Sequence, residues 1–136
     1  MSFLQLALLE CIPGIGKNKM ESKAIARYIR QSPFKVRKTL DSVKGMNVDN
    51  ALSYLHFSKE KAATVIEKTI RSAVSNLMNA NENLSIDQNF LIVKEAYVNG
   101  GPVMKRFRAA SMGRASRLRR PTSHLTIVIT TLKKGN

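Results

Sequence analysis

Gly100-Gly101-Pro102-Val103-Met104-Lys105-Arg106-Phe107-Arg108-Ala109-Ala110-Ser111-Met112-Gly113-Arg114-Ala115-Ser116-Arg117-Leu118-Arg119-Arg120-Pro121-Thr122-Ser123-His124 holds seven Lys and Arg residues and no carboxylate. What flanks it gives it meaning. Before it, Phe90 to Val98 is rich in aromatic and β-branched residues. After it, Leu125, Ile127 and Ile129 alternate with Thr126, Val128 and Thr130 through His124 to Leu132. Both flanks read as strands, and together as an antiparallel pair. Residues 99–123 are far too many for a hairpin loop of roughly two to five residues. If both limbs stay extended around Gly113, each has about a dozen residues and the arm reaches about 40 Å at roughly 3.3 Å per residue. A two-stranded ribbon cannot bury its own apolar side chains and is marginal in water. Such an arm therefore implies a partner that neutralises and supports it; a disordered basic loop in the unbound protein is the alternative.

The upstream sequence reads as helical. Ile25–Arg30 is short and β-capable. Ser32 then suits an N-cap and Pro33 a first helical position, with Val36, Leu40 and Val43 at helical spacing and Gly45 as the stop. Lys35, Arg37, Lys38 and Lys44 lie off that stripe, as a solvated face or a binding face. Val48, Ala51, Leu52 and Leu55 predict a second short helix capped by Asn47. Ser58 is expected to cap a third, with Glu60 favourable in its first turn. Its stripe is Ala62, Ile66, Ile70, Ala73 and Leu77, and Asn79, Asn81 and Asn83 end it. The expected fold class is α+β: a small antiparallel sheet packed against three helices, with a long protruding basic β-hairpin arm. The expected domain organisation is an N-terminal extension over residues 1–21, then one domain over 22–136 with its arm at about 99–123.

The 136 residues suit a single modest core, and without Trp that core is aliphatic. A net charge of +14 speaks about partners. Polyanions are the obvious ones, nucleic acid before an acidic membrane surface. From Asn99 onward there are nine Lys or Arg and no Asp or Glu, while the first 98 residues hold 14 basic and 9 acidic side chains. That asymmetry points to a nucleic-acid contact. Cys11, the one cysteine, excludes an internal disulfide and fits a reducing compartment. Phe3 to Ile12 is apolar and admits three readings: a short signal-like segment, an extra helix or loose tail, or sequence upstream of a start at Met20.

Arginine suits the arm's task. Its planar guanidinium holds phosphate through two hydrogen bonds and stacks on exposed bases, and Phe107 between Arg106 and Arg108 adds a stacking surface. Small residues near the tip let the backbone pass close to RNA. Catalysis has little support: His56 and His124 are the only histidines, and no Cys/His metal spacing, phosphate loop or nucleophile–base pattern accompanies them. No catalytic residue, metal or cofactor is expected. His56 reads as structural, and Asp41, Asp49, Glu60 and Glu67 as helix surface charges. A DNA-architectural protein using a basic β-arm is the alternative, with Met112 as the wedge such arms insert; an enzyme acting on nucleic acid is remote.

Several motifs resemble one family. Gly101-Pro102-x-Met104-Lys105-Arg106-Phe107-Arg108, Gly113-Arg114-Ala115, Arg117 through Arg120 and Thr122-Ser123-His124 are similar to large ribosomal subunit protein twenty-two of bacterial type. Ala26-Arg27-Tyr28-Ile29-Arg30 with Ser32-Pro33-x-Lys35-Val36-Arg37 resembles that family's opening. Lys61-Ala62-Ala63 and Ser72-Ala73-Val74-Ser75-Asn76 resemble its long helix, and Glu95-Ala96-Tyr97-Val98-Asn99 the strand before the arm. The likeness covers about residues 22–132, which favours Met20 as the start. It implies a non-enzymatic, cytoplasmic protein of the large ribosomal subunit that binds ribosomal RNA early in assembly. The globular part would lie near the exit of the polypeptide tunnel, and the hairpin would run inward and line it. Expected partners are large-subunit ribosomal RNA, neighbouring ribosomal proteins and the nascent polypeptide, with no membrane and no homo-oligomer. RNA contacts are expected from Lys35, Arg37, Lys38, Lys105, Arg106, Phe107, Arg108, Arg114, Arg117, Arg119, Arg120 and His124. Ser111, Met112, Gly113, Arg114 and Ala115 would form the tunnel-lining tip. The chain departs from the family in its neutral Ala109-Ala110-Ser111-Met112, where relatives carry more cations and a proline. It also has Ser116 where an acidic residue is common, and Phe34 in place of a usual cation.

Overall fold

The computed structural model describes residues 20–81 and 88–131. The expectations for residues 1–19, Asn83 and Leu132 lie outside the described residues. Ser32 is extended, and its carbonyl accepts the N–H groups of Lys35 and Val36 at 3.1 and 3.3 Å, so helix α1 (Pro33–Asp41) starts where the cap residue and proline direct it. Val36, Leu40 and, beyond the helix, Val43 are buried. The helix stops four residues short of Gly45, a correction to the expected boundary. The sheet takes the following turn instead: Gly45 N–H donates to Val93 O at 3.0 Å, and Val93 N–H donates to Met46 O at 3.1 Å. Gly45 sits there at φ +82°, in the left-handed region that glycine tolerates.

Helix α2 (Val48–Phe57) begins after Asn47, as its cap position predicts, and buries Val48, Ala51 and Leu55. Ser58 does not cap the third helix. Its N–H donates to Leu55 O at 3.2 Å, closing α2, and Glu60 takes the cap position of helix α3 (Lys61–Ala80). Two adjoining helix ends compete for this stretch, and a cap residue by itself does not say which end it serves. The α3 stripe is buried throughout, with Ala63, Thr69 and Val74 beside it. Asn81 closes α3 through N–H to Met78 O at 3.0 Å and Nδ2–H to Leu77 O at 2.9 Å.

The sheet has three antiparallel strands in the order β1–β3–β2, with β1 Glu21–Ile29, β2 Leu91–Ala109 and β3 Ala115–Thr131. Leu125, Ile127 and Ile129 on central β3 are fully buried at 0% exposure. In register beside them, Ala24 and Ala96 flank Ile127, and Val93 pairs with Ile129. A bulge between Val93 and Glu95 shifts the alternation of β2 by one residue, so that Val93, Ala96 and Val98 all face the helices. Among the described residues the buried apolar set contains no aromatic residue, as expected. Strand β1 starts at Glu21, just inside the stretch assigned to the extension. Glu21 pairs with Thr130, and its Oε1 accepts from Lys94 Nζ at 2.7 Å, a bond that raises the Lys94 ammonium above its ordinary pKa.

Candidate nucleic-acid interface

Beyond its last pair with β1, Ile29 with Ser123, strand β3 continues with β2 alone. The two limbs run residue against residue from Val103 with Pro121 to Ala109 with Ala115. Pro121 stands where β3 has become an edge strand, the place a sheet tolerates proline. Side chains alternate between the ribbon's faces. One face carries Met104 opposite Arg120, Arg106 opposite Leu118 and Arg108 opposite Ser116. The other carries Lys105 opposite Arg119, and Phe107 opposite Arg117. Phe107 is 72% exposed. Lys105 and Arg119 are like charges placed directly across the ladder, which weakens a ribbon standing alone. No Asp or Glu lies anywhere on these limbs. Among the described residues every ion pair lies elsewhere: Lys38 with Glu60, Glu67 with Arg71 and with His56, and Lys94 with Glu21. The ribbon is therefore a surface of uncompensated cations on both faces, so an anion bound there breaks no internal pair.

At the tip, Ala110 N–H donates to Arg114 O at 2.8 Å and Arg114 N–H to Ser111 O at 3.3 Å. Ser111, Met112 and Gly113 form a single 3-10 turn, Arg114 is extended, and Ala115 rejoins the ladder. Met112 has φ 57° and ψ 39°, and the residue is 91% exposed. A left-handed conformation costs a non-glycine residue roughly 1–2 kcal/mol, and asparagine tolerates it better. Met112→Asn should therefore slow amide exchange at Arg114 by about three- to fivefold. Unchanged or faster exchange would show that the turn carries no such strain.

The ribbon's base is a joint between two irregularities. Strand β1 loses register between Ala26 and Ile29, where Tyr28 adopts φ 57°, and β2 loses it between Gly100 and Val103. His124 holds the two together. Its Nδ1 accepts the Tyr28 N–H at 3.0 Å, and the two rings meet edge to face with centroids 4.8 Å apart. Nδ1 thus acts as acceptor, so in the neutral ring the proton sits on Nε2. Gly101 makes the joint possible. A Cβ there would lie 2.5 Å from Thr122 Oγ1, 3.2 Å from His124 Nε2 and 3.3 Å from the Thr122 carbonyl carbon. Thr122 is buried, and its Oγ1–H donates to Pro102 O at 2.7 Å. Gly101→Ala should cost about 1–3 kcal/mol, because Thr122 must turn away and leave that carbonyl unpaired. A urea midpoint equal to the parent's would refute this.

The α1 cations divide in their roles. Arg37 lies exposed but reaches across to the sheet: its Nε and Nη2 donate to Val98 O at 3.3 and 2.9 Å, and its guanidinium lies 5.7 Å from the Phe34 ring centre. It pins α1 to β2, which spacing along the chain could not reveal. Lys38 pairs with Glu60 at 3.7 Å. Lys35 opens onto a cleft of about 1060 Å³ between the helices and the ribbon base. Arg30, Gln31 and Lys61 line the same cleft, and the sequence reading did not single them out as site residues; their proximity depends on tertiary contacts. Two expectations are corrected. His56 is a surface residue, 70% exposed at its side chain, 4.0 Å from Glu67. Glu67 is largely covered, only 16% exposed at its side chain, and takes two bonds from Arg71 at 2.7 and 3.2 Å. Glu60 is likewise more than a surface charge, since Thr39 Oγ1–H donates to its carboxylate.

A helix-backed three-stranded sheet extended into an acid-free cationic ribbon defines, with the relatives below, a structural protein of the large ribosomal subunit. The chain belongs to the family described as Ribosomal protein L22p/L17e, whose model matches residues 24–130. It is 45% identical over 109 residues to the large ribosomal subunit protein uL22 of Magnetococcus marinus, covering 80% of this chain and 94% of that protein. The uL22 protein of Desulfitobacterium hafniense is 45% identical over 115 residues, 85% of this chain and 98% of its own length. That of Chloroflexus aggregans is 44% identical over 110 residues, 81% and 95% respectively. The chain is thus a non-enzymatic constituent of the large subunit. It acts in translation within the cytoplasmic ribosome and assembles there with ribosomal RNA and other ribosomal proteins.

Proposed function

We propose that this chain binds large-subunit ribosomal RNA directly during assembly, through the two faces of its ribbon and the basic side of α1. The globular part, residues 22–136 without the arm, docks on the subunit surface near the tunnel exit, and the ribbon passes inward through RNA. Its tip at Ser111, Met112, Gly113, Arg114 and Ala115 faces the nascent polypeptide. One observation carries this reading: the paired limbs hold uncompensated cations on both faces, including like charges opposed at Lys105 and Arg119. RNA that wraps the ribbon neutralises the cations of both faces, whereas a flat anionic surface meets only one side. Arg106, Arg108, Arg114, Arg117, Arg119 and Arg120 supply forked donors to phosphate, Lys105 a point charge, and Phe107 a plane for stacking. Lys35 and Lys38 extend the same field onto α1. Arg37 and His124 support the surface, Arg37 by holding α1 on the sheet and His124 by locking the ribbon base. The chain acts as a single copy.

The test is competitive binding at matched salt. Deproteinised large-subunit RNA should displace labelled RNA efficiently, and duplex DNA of equal length should not. Equal competition by the duplex would favour a DNA-architectural protein, and absence of the chain from large subunits in growing cells would overturn the assignment.

A further inference from the structure

The cleft between the helices and the ribbon base has a composition that phosphate binding alone leaves unexplained. One wall carries Arg30, at the bend before α1, with Lys35, Lys38 and Lys61 on the helices, and the ribbon wall carries Arg106, Arg119 and Arg120. Glu60 is the single carboxylate among these lining residues, and it already serves Lys38 and Thr39. The N-terminal turns of α1 and α3 both border the space, adding partial positive charge. Between the basic walls lies an apolar surface formed by Met104, Leu118, Pro121 and Ala62. Met104 and Leu118 are half-buried, while every other side chain from Lys105 to Arg120 is exposed. They share one ribbon face, each opposite an arginine. Gln31 also lines the cleft, and its Oε1 is buried with no hydrogen-bond partner among the described residues. A buried acceptor left unpaired has a cost that a donor from a ligand would remove.

We propose that this cleft is a pocket for one unpaired nucleotide of the bound RNA. The base lies against Met104, Leu118 and Pro121, and the flanking phosphates bridge the two basic walls. Gln31 Oε1 takes a hydrogen from an amino or imino group of the base. A volume of about 1060 Å³ admits a nucleotide with its neighbouring phosphates. Sequence-specific RNA recognition depends on unstacked bases in loops and bulges, because the grooves of an RNA helix display little that side chains can read. The inference rests on the RNA-binding reading above and sharpens it, since it sets an apolar, base-reading site within a surface otherwise suited to phosphate.

The test uses the full chain and two single-stranded trinucleotides of equal charge: uridine–adenosine–uridine, and the same molecule with an abasic centre. The intact trinucleotide should bind about five- to tenfold more tightly, the lower end of the range for a base stacked on an aromatic ring, because these walls are aliphatic. It alone should shift the methyl resonances of Ala62, Met104 and Leu118. Met104→Ala with Leu118→Ala should erase the difference without changing the salt dependence, because the basic walls remain. Equal affinity of the two trinucleotides for the parent chain, or no binding of either, overturns the pocket. So does an acidic tripeptide that competes as well as the intact trinucleotide, which would reassign the cleft to a protein partner. Titration with large-subunit RNA in the same buffer separates this result from the parent reading. Strong, salt-dependent RNA binding with equal trinucleotide affinities removes only the pocket, whereas loss of RNA binding removes the parent reading.

Discussion

Arg117→Ala, Arg119→Ala and Arg120→Ala combined should weaken binding to large-subunit RNA by roughly 100- to 500-fold at about 0.1 M salt. The plot of log affinity against log salt should flatten by about 2 to 3 at the same time. Each neutralised phosphate releases about 0.7 to 0.9 of a counterion, so three lost contacts account for both numbers. The size of the effect depends on these guanidiniums having no protein partner to lose. The hydrogen bonds and ion pairs found among the described residues do not involve them, and Arg119 stands opposite Lys105. The triple variant should consequently fold at least as well as the parent, its ribbon relieved of one like-charge pair. The measurement is a salt titration of RNA affinity beside a urea titration of the protein. An unchanged salt slope would show that the three arginines make no phosphate contacts. A large fall in folding stability would show instead that they hold the ribbon together.

Ile127→Ala should remove about 2–5 kcal/mol of folding stability, the range for large-to-small changes in a close-packed core. Ile127 is fully buried on the central strand, with alanines in register on either side. Those small neighbours cannot spread into the space it leaves, so the upper half of the range is expected. Total stability for a domain of this size is about 5–15 kcal/mol, so the variant would stand close to unfolding at physiological temperature. The urea midpoint measures it. A loss under 1 kcal/mol would mean that the core collapses onto the cavity and is looser than its burial suggests.

The two variants separate what the chain announces locally from what folding has to assemble. The α3 stripe, the alternation of Leu125, Ile127 and Ile129, and the starts of α1 and α2 were legible because helix and strand periodicity express which face meets a core. The arm was legible for a different reason. A long stretch with cations and no acids, set between two strand patterns, has no means of burying itself. Boundaries were less legible where two elements claim one residue. Ser58 carries the signature of a helix start and closes the preceding helix, and Gly45 lies in a turn that the sheet holds through Val93.

Composition and pattern by themselves determined that this chain forms an α+β fold with an aliphatic core and carries an arm built for a polyanion. Each of those properties is a sum over local residues. Tertiary structure alone decided the rest. It tied Arg37 to the Val98 carbonyl, locked the ribbon base through His124 and Gly101, and brought Arg30, Gln31 and Lys61 to face Met104 and Leu118 across one cleft. The physical reason is distance along the chain. Arg37 and Val98 are 61 residues apart, and Tyr28 and His124 are 96 apart. No local propensity reports a contact of that kind, because it exists only once the sheet has set the register that brings the two partners together.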